Sequence, residues 1–402
     1  MASAIGRLRS KQPFTDRPSQ DGKFYLQSGY DAAKEWLVDT AGYENVEING
    51  ESDKKTRVFG RPAYNYEGGQ RSGPVKTYLQ SALGRPNFSL VTGARVTRVT
   101  RDGEVAKGVD VVMNGTEMTI EVCKTGKVVL SGGALFSPQL LMLSGIGDPE
   151  VLTNLTSNGL LKLSPNDWIN NTAVGDKLFD NPNTFIELFS KDISSYEYSY
   201  DNPPTLDREL YLNQRSGPYS FASQTSAFWD YVSISGGNLG MQGTIDSSGF
   251  GDFKENGTIT LNIYGTSGLR SLGKVILDSK GIPGATSFFY SDPTDATAIA
   301  TFIHSIFAKL PPTLKVLNAP QNGTVEDIRK WITTKSDYTI GNVLHFSSSL
   351  RIGTVVETNA KVIGTSNLYV IDASISEPLS VNPVFGIMAI AERAVELILG
   401  GK

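Results

Sequence analysis

Apolar residues are sparse through the first sixty positions, where one stretch, residues 30–40, places Ala32, Ala33, Trp36 and Leu37 on a common helical face. A peripheral segment is expected there. A second helix is predicted over 74–83, between Gly73-Pro74 and Gly84-Arg85-Pro86, which have the chemistry of start and stop signals. From Phe88 to Leu130 the period changes to two. Residues 89–91, 95–99 and 108–112 alternate as antiparallel strands do, with Asp102-Gly103 and Asn114-Gly115 as turns. A short apolar run at 127–130 then enters Ser131-Gly132-Gly133 and a helical stretch over 137–144. Strand, glycine turn and helix in that order suit the cover of a nucleotide-binding sheet.

Between about 149 and 344, strand-like runs at 184–189, 258–264 and 275–277 are separated by long Ser-, Asn-, Gly- and Asp-rich connections and interrupted by a helix over 295–310. Strands with variable loops suit a substrate-binding sheet. A buried strand returns at 368–371, followed by Asp372-Ala373-Ser374 and a helix over 383–399 with proline in its first turn. No internal repeat is present.

Composition narrows the function classes. With 402 residues, 39% of them hydrophobic, the chain can fill a large core or two cores that share an interface. A net charge of -4 without a Lys/Arg run argues against nucleic acid and against anionic membrane, and favours a small neutral substrate. Cys123 is the single cysteine, and His304 and His345 are the only imidazoles, so no disulfide and no metal site are expected. No apolar stretch approaches the roughly 20 residues that span a bilayer, and Met1 to Pro13 has no signal-peptide core. Six N-x-[ST] sequons, at Asn87, Asn114, Asn154, Asn170, Asn256 and Asn322, are acceptors for glycosylation if the chain enters a secretory compartment.

His345 is the first candidate for chemistry, because oxidation of an alcohol needs a base near neutral pKa. On its own, one histidine is more readily a buried residue satisfied by backbone. His304, among apolar helical neighbours, fits that description better still. The turn Ser131-Gly132-Gly133 could let backbone approach a phosphate or ribose, although a tight strand-to-helix turn needs the same residues for packing. A complete G-x-G-x-x-G is absent: Gly237 to Gly243 and Gly145-Ile146-Gly147 are wrongly spaced.

The run Gly133-Ala134-Leu135-Phe136-Ser137-Pro138-Gln139-Leu140-Leu141-Met142-Leu143-Ser144-Gly145-Ile146-Gly147 resembles the second signature of the glucose-methanol-choline (GMC) oxidoreductases, G-A-x-x-S-P-x-L-L-x-x-S-G-I-G. Asn367 to Ser374, Asn382-Pro383 and the Ala391-Glu392-Arg393-Ala394 of the last helix follow in that family's order. Within it, Gly73 to Gln80, Arg85-Pro86-Asn87-Phe88, Asp167 to Asn170, Val174-Gly175 and Asp180-Asn181-Pro182 are most similar to the flavin domain of cellobiose dehydrogenases.

The resemblance implies an α/β plus α+β fold: a partial, Rossmann-like FAD-binding domain of GMC type with an antiparallel-sheet substrate-binding domain. The expected parts are 1–148, partial FAD-binding domain with a peripheral N-terminal segment; 149–344, substrate-binding domain; and 345–402, the return to the FAD-binding domain carrying the catalytic residues. It implies FAD as cofactor, a small sugar or alcohol as substrate, and oxygen, a quinone or a redox protein as electron acceptor. His345 matches the family's catalytic histidine, whose Nε2 takes the hydroxyl proton, and Asn382 matches the second position, which holds the substrate oxygen. FAD contacts are implied for Val96 on the adenine side, Ser131, Gly132 and Gly133, Asp372 and Ala373 near the ribityl-pyrophosphate, and Pro383 and Val384 near the ring.

Departures sharpen the expectation. Leu344 stands where cellobiose enzymes carry a sugar-contacting Asn, and Ser271-Leu272-Gly273 replaces Ser-Arg-Gly, so cellobiose is not the expected donor. Met1 begins where the family has completed its first βαβ unit, which predicts an N-terminally truncated chain whose FAD binding is weakened by the missing glycine-rich loop. By the same resemblance the protein is expected to be secreted. The alternative is a degenerate, non-catalytic paralogue that binds a sugar or a partner.

Overall fold

Two large hydrophobic clusters organise the chain, one against a wide mixed sheet and one around a short parallel pair of strands. The computed structural model describes residues 1–50, 53–234 and 236–400. Helix α1 (Ala2–Lys11) comes first, and α2 (Gln27–Lys34) continues into a π-helical turn, Glu35–Thr40. Tyr30, Ala33, Trp36 and Leu37 from this stretch are buried in the larger cluster, and Trp36 Nε1 donates to the Ile306 carbonyl at 3.1 Å. The segment expected to be peripheral is therefore core, because the apolar face of the wide sheet needs this cover.

Strands β1 (Glu44–Asn45) and β2 (Val58–Gly60) follow. The helix predicted over 74–83 is shorter, Tyr78–Leu83, with turns before it. Strands β3 (Ala94–Asp102), β4 (Val105–Met113) and β5 (Thr116–Glu121) form the expected antiparallel meander. Asn114 and Gly115, at φ 51 and 78, supply the two left-handed residues that a tight two-residue hairpin requires. Residues 89–91 are not a strand; Leu90 and Val91 are exposed and no neighbour pairs with them. Strand β6 (Val128–Leu130) then leads through the glycine turn into α3 (Gly133–Leu143), in the expected order but with the helix beginning four residues earlier than expected.

Besides short peripheral strands, among them the expected Gly273–Leu277, there follow β7 (Pro182–Phe189), β8 (Gln224–Ile234), β9 (Gly237–Asp246), β10 (Thr258–Gly265), β11 (Lys315–Val316), β12 (Gly341–Asn342) and β13 (Leu368–Val370). Eight strands make the wide sheet in the order β1-β2-β8-β9-β10-β7-β11, with β12 also on β7. The β8–β9 hairpin was hidden in the sequence by glycines at 240 and 243, which dilute its alternation. In the fold they are packing positions: a Cβ at Gly243 would strike the Phe228 ring, and one at Gly240 would strike Ser267 and Thr266.

Alternation along β7, β9 and β10 places Ile186, Leu188, Met241, Ile245, Ile259, Leu261 and Ile263 on one face, under α4 (Pro293–Phe307). Asn183, Glu187, Gln242, Thr244, Thr260, Asn262 and Tyr264 line the other face, and all seven are buried. Helix α5 (Val325–Thr333), started by a Thr324–Asp327 capping box, packs on α4.

The second cluster surrounds β6 and β13, which pair in parallel with Leu368 opposite Val128. Helix α6 (Val384–Ile398) lies against α1, joined by Arg7 to Glu392 at 2.9 Å and to Glu396 at 3.3 Å. The division expected at 148 is crossed in both directions. Strands β1 and β2 belong to the wide sheet, whereas Leu152, Leu155, Leu161 and Val174 pack in the second cluster, because each core recruits apolar faces from distant stretches of chain.

Candidate functional site

The wide sheet sets the geometry of the first two candidate residues. Strand β12 runs antiparallel to β7, with Asn342 opposite Pro182 and Gly341 opposite Asn183. Asp180 just before β7 and His345 just after β12 therefore leave the sheet at the same end. The Asp180 carboxylate, 1% exposed, accepts the backbone N–H of Asn181 at 2.9 Å, of His345 at 2.9 Å and of Leu344 at 3.2 Å. Leu344 is held at φ 60, a left-handed conformation that costs a non-glycine residue roughly 1–2 kcal/mol. Burial pushes the Asp180 carboxyl up to about 6, although its N–H partners oppose the rise.

His345 itself is half-buried, and burial holds its imidazole below the ordinary value, so it is neutral at neutral pH. Its Nδ1 is buried and has no hydrogen-bond partner. A neutral imidazole can take a proton, and with Nδ1 buried the nitrogen open to a substrate would be Nε2. His304, in contrast, is exposed in the last turn of α4.

Asn382 sits at φ 58 immediately before Pro383 and α6. Its Oδ1 accepts from Gln242 Nε2 at 3.0 Å, and Gln242 Oε1 accepts from Trp229 Nε1 at 3.0 Å. An indole N–H can only donate, so it dictates which way the Gln242 amide points and, through it, which way Asn382 points. The Asn382 NH2 is left outward, and no described protein group accepts from it.

Trp229, Gln242, Tyr264, Asn183 and Gly341 stand in register across β8, β9, β10, β7 and β12. Asn382 is tied to this row through Gln242, and His345 follows the row's last member by four residues. Gln242 and β7 are two strands apart, about 10 Å. Asn181 adds a second tie: its Nδ2 donates to the Gly265 carbonyl at 2.9 Å and to the Leu379 carbonyl, three residues before Asn382, at 3.3 Å. His345 and Asn382 are linked only indirectly, through the neighbouring residues Asp180 and Asn181, with no hydrogen bond between them.

The residues expected to hold FAD divide into three places. Pro383 is buried and Val384 is 54% exposed; with half-exposed Phe385 it opens α6, whose first turn has no side-chain cap. Free amide N–H groups beside an apolar surface fit the ring end of a flavin. Ser131, Gly132, Gly133, Asp372 and Ala373 meet at one end of the β6–β13 pair. There Gly132 N–H donates to Ser137 Oγ at 2.9 Å and Gly133 N–H to Asp372 Oδ2 at 2.9 Å, while Ser137 and Ser374 also donate to Asp372. These amides are claimed by the protein, and a carboxylate stands at the end of α3 where a phosphate would need N–H donors. Val96 lies elsewhere, in a cavity of about 730 Å³ between the meander, α3 and the loop at 280–283, which neither His345 nor Asn382 lines.

Sequence reasoning missed the supporting residues Asp180, Asn181, Gln242 and Trp229. Asp180-Asn181 stood in a recognisable motif, but its partners lie 84 to 198 residues away and leave no local signal. Among the described residues no three His, Cys, Asp or Glu side chains cluster as a metal site, and no helix is long and apolar enough to cross a membrane. The asparagines of all six sequons are exposed.

Comparison with known proteins matches residues 32–183 to the N-terminal part, and residues 270–391 to the C-terminal part, of the GMC oxidoreductase family. The chloroplastic fatty acid photodecarboxylase of Chlamydomonas reinhardtii is 26% identical over 388 residues, 85% of this chain and 62% of that protein. The oxygen-dependent choline dehydrogenase of Staphylococcus xylosus is 27% identical over 408 residues, 94% of this chain and 67% of that protein. The chain thus spans about 62% of the photodecarboxylase's length. Among solved structures, Aspergillus oryzae RIB40 formate oxidase has a TM-score of 0.78 at 18% identity, covering 94% of this chain and 71% of that one. Pyridoxine 4-oxidase from Mesorbium loti has 0.73 at 18%, covering 98% and 72%. These likenesses carry the fold and the family, and do not single out the cellobiose branch.

Proposed function

The chain belongs to the GMC oxidoreductase family, and from that premise we propose that it is an FAD-dependent dehydrogenase or oxidase acting on the CH–OH group of a small alcohol or sugar. The observation that carries this reading is His345, half-buried, kept neutral by burial and held through its backbone by Asp180, whose neighbour Asn181 ties the segment that leads to Asn382. Asn382 donates to the substrate oxygen and orients it. His345 takes the hydroxyl proton as the carbon is oxidised. FAD, when bound, supplies the acceptor for the hydride. Pro383, Val384 and the first turn of α6 would hold its ring, and Val96 its adenine side. Ser131, Gly132, Gly133, Asp372 and Ala373 would receive the middle of the cofactor only after Asp372 releases the Gly133 amide.

The donor is the finer question. Three of the four similar proteins named above carry choline, formate and pyridoxine in their names, while the local likeness to cellobiose dehydrogenases supports a sugar as the narrower reading. Oxygen, a quinone or a redox protein would take the electrons. Six exposed sequons support a secretory route for the protein. A second reading, a paralogue that binds a ligand without redox chemistry, is favoured by the self-satisfied turn at Gly132-Gly133.

Titration of the purified chain with FAD, followed by turnover on a panel of choline, pyridoxine, aryl alcohols and sugars, separates the two. Flavin absorbance that stays with the protein and bleaches on adding one donor is expected. A chain that binds a panel member and never bleaches supports the second reading.

A further inference from the structure

The chemistry proposed for His345 and Asn382 requires that two loops, 37 residues apart in sequence, hold a constant separation. No hydrogen bond joins them, yet both are gripped by neighbouring residues of one dipeptide. Asp180 accepts the N–H groups of Leu344 and His345, and Asn181 donates to the Leu379 carbonyl ahead of Asn382. Asn181 also donates to Gly265 at the end of β10, which anchors the dipeptide to the sheet. Both side chains are fully buried, at 1% and 0% exposure.

We propose that Asp180-Asn181 is a two-sided clamp that positions His345 relative to Asn382, acting through backbone and touching neither the substrate nor the imidazole. The proposal rests on the role given to His345 above and adds the element that sets its geometry. Three observations favour positioning over packing. A carboxylate is a costly choice for a buried site when no Lys or Arg among the described residues pairs with it. What it gains is two acceptor oxygens that take N–H groups from a facing loop, which a neutral amide cannot match. That loop contains a left-handed leucine immediately before the histidine, a conformation that persists only where surrounding contacts over-determine it.

The groups around the carboxylate are few. The facing loop contributes the amides of Leu344 and His345 and the His345 imidazole. The preceding stretch has Asp176, paired with Lys274 at 3.7 Å, and exposed Lys177. The segment before Asn382 has Glu377, paired with Arg351 at 2.9 Å, and β10 offers the buried Tyr264.

With only two histidines, imidazole NMR reads the clamp directly, and His304→Gln assigns the signals. In Asp180→Asn, one acceptor becomes an NH2 that faces a backbone N–H. The His345 resonances are expected to shift and its titration midpoint to move, while those of His304, exposed on α4, stay in place as an internal control. Because the Asp180 pKa is raised in the folded protein, its ionisation lowers stability as pH rises from about 4 to about 6. The Tm difference between Asp180→Asn and wild type therefore moves in favour of the variant across that window. Turnover is expected to fall about 10²-fold with bound flavin unchanged.

His345 resonances that superimpose on those of wild type, in a folded Asp180→Asn, would overturn the proposal. If that variant does not fold, Asp180→Glu, which keeps the carboxylate but lengthens its reach, is read in the same way: shifted His345 resonances are expected, and resonances that superimpose on those of wild type overturn the clamp. Full turnover in His345→Ala would instead remove the proposed function and leave these NMR results standing.

Discussion

At its centre, in β7, β9 and β10, the wide sheet buries both of its faces, whereas the parallel pair of β6 and β13 leaves one side open at Val129, which is 44% exposed. Their polar groups differ in the same direction. On the wide sheet, Trp229 donates to Gln242 and Gln242 to Asn382, Asp180 and Asn181 hold backbone groups, and polar atoms such as His345 Nδ1 and Asn181 Oδ1 keep no partner. At the parallel pair, Gly132, Gly133, Ser137, Ser374 and Asp372 close on themselves. A group whose hydrogen-bonding capacity is spent inside the protein must be released before it can hold a ligand. On the proposed function, the residues that would handle the proton are already held by backbone ties, whereas the turn expected to face the cofactor has its amides spent.

The largest effect that would test this contrast is chemical. His345→Ala should lower kcat by about 10²–10⁴-fold while flavin content, read by absorbance, is unchanged. Undiminished turnover would move the proton acceptor elsewhere. Next is the cover of the wide sheet: Trp36→Ala should cost about 3–5 kcal/mol in urea denaturation, the range for deleting a buried aromatic. A loss near zero would return residues 27–40 to the periphery.

A smaller effect lies on the polar face. Burial pushes the Glu187 carboxyl up to about 7, against the Phe250 N–H and the Thr260 hydroxyl. The folded state then holds the proton more tightly than the unfolded chain, so this contribution to stability is full below about 4.5 and is lost as pH rises to about 7. Glu187→Gln should flatten Tm over that window by an amount worth on the order of 2–3 kcal/mol. An unchanged pH slope would place Glu187 in contact with water. Least of all, Val129→Thr should change stability by no more than about 0.5 kcal/mol, and a larger loss would show that side of the parallel pair to be covered.

How far the sequence could be read follows the range of the interactions. The meander was legible because Asp102-Gly103 and Asn114-Gly115 are local turn signals between alternating runs. The order of β6, glycine turn and α3, and the last helix opened by Pro383, were legible for the same reason. The β8–β9 hairpin was not, since Gly240 and Gly243 answer to Ser267 and Phe228 and break the pattern that would have announced a strand. His345 and Asn382 could be named from motifs at their own positions. Asp180, Asn181 and Gln242 could not be given roles, since what they hold lies far along the chain.

By itself, then, the sequence determined the family, the secondary structure wherever periodicity and turn residues agree, and the two side chains proposed to meet the substrate. Tertiary structure alone decided that Trp36 is core, that a buried carboxylate grips the loop of His345, that Trp229 sets the direction of Asn382's amide, and that Asp372 occupies the glycine turn. The reason is physical. Helix and turn propensities act over a few residues, whereas the pairing of buried polar groups depends on which distant segments a sheet's register brings within about 3 Å of each other.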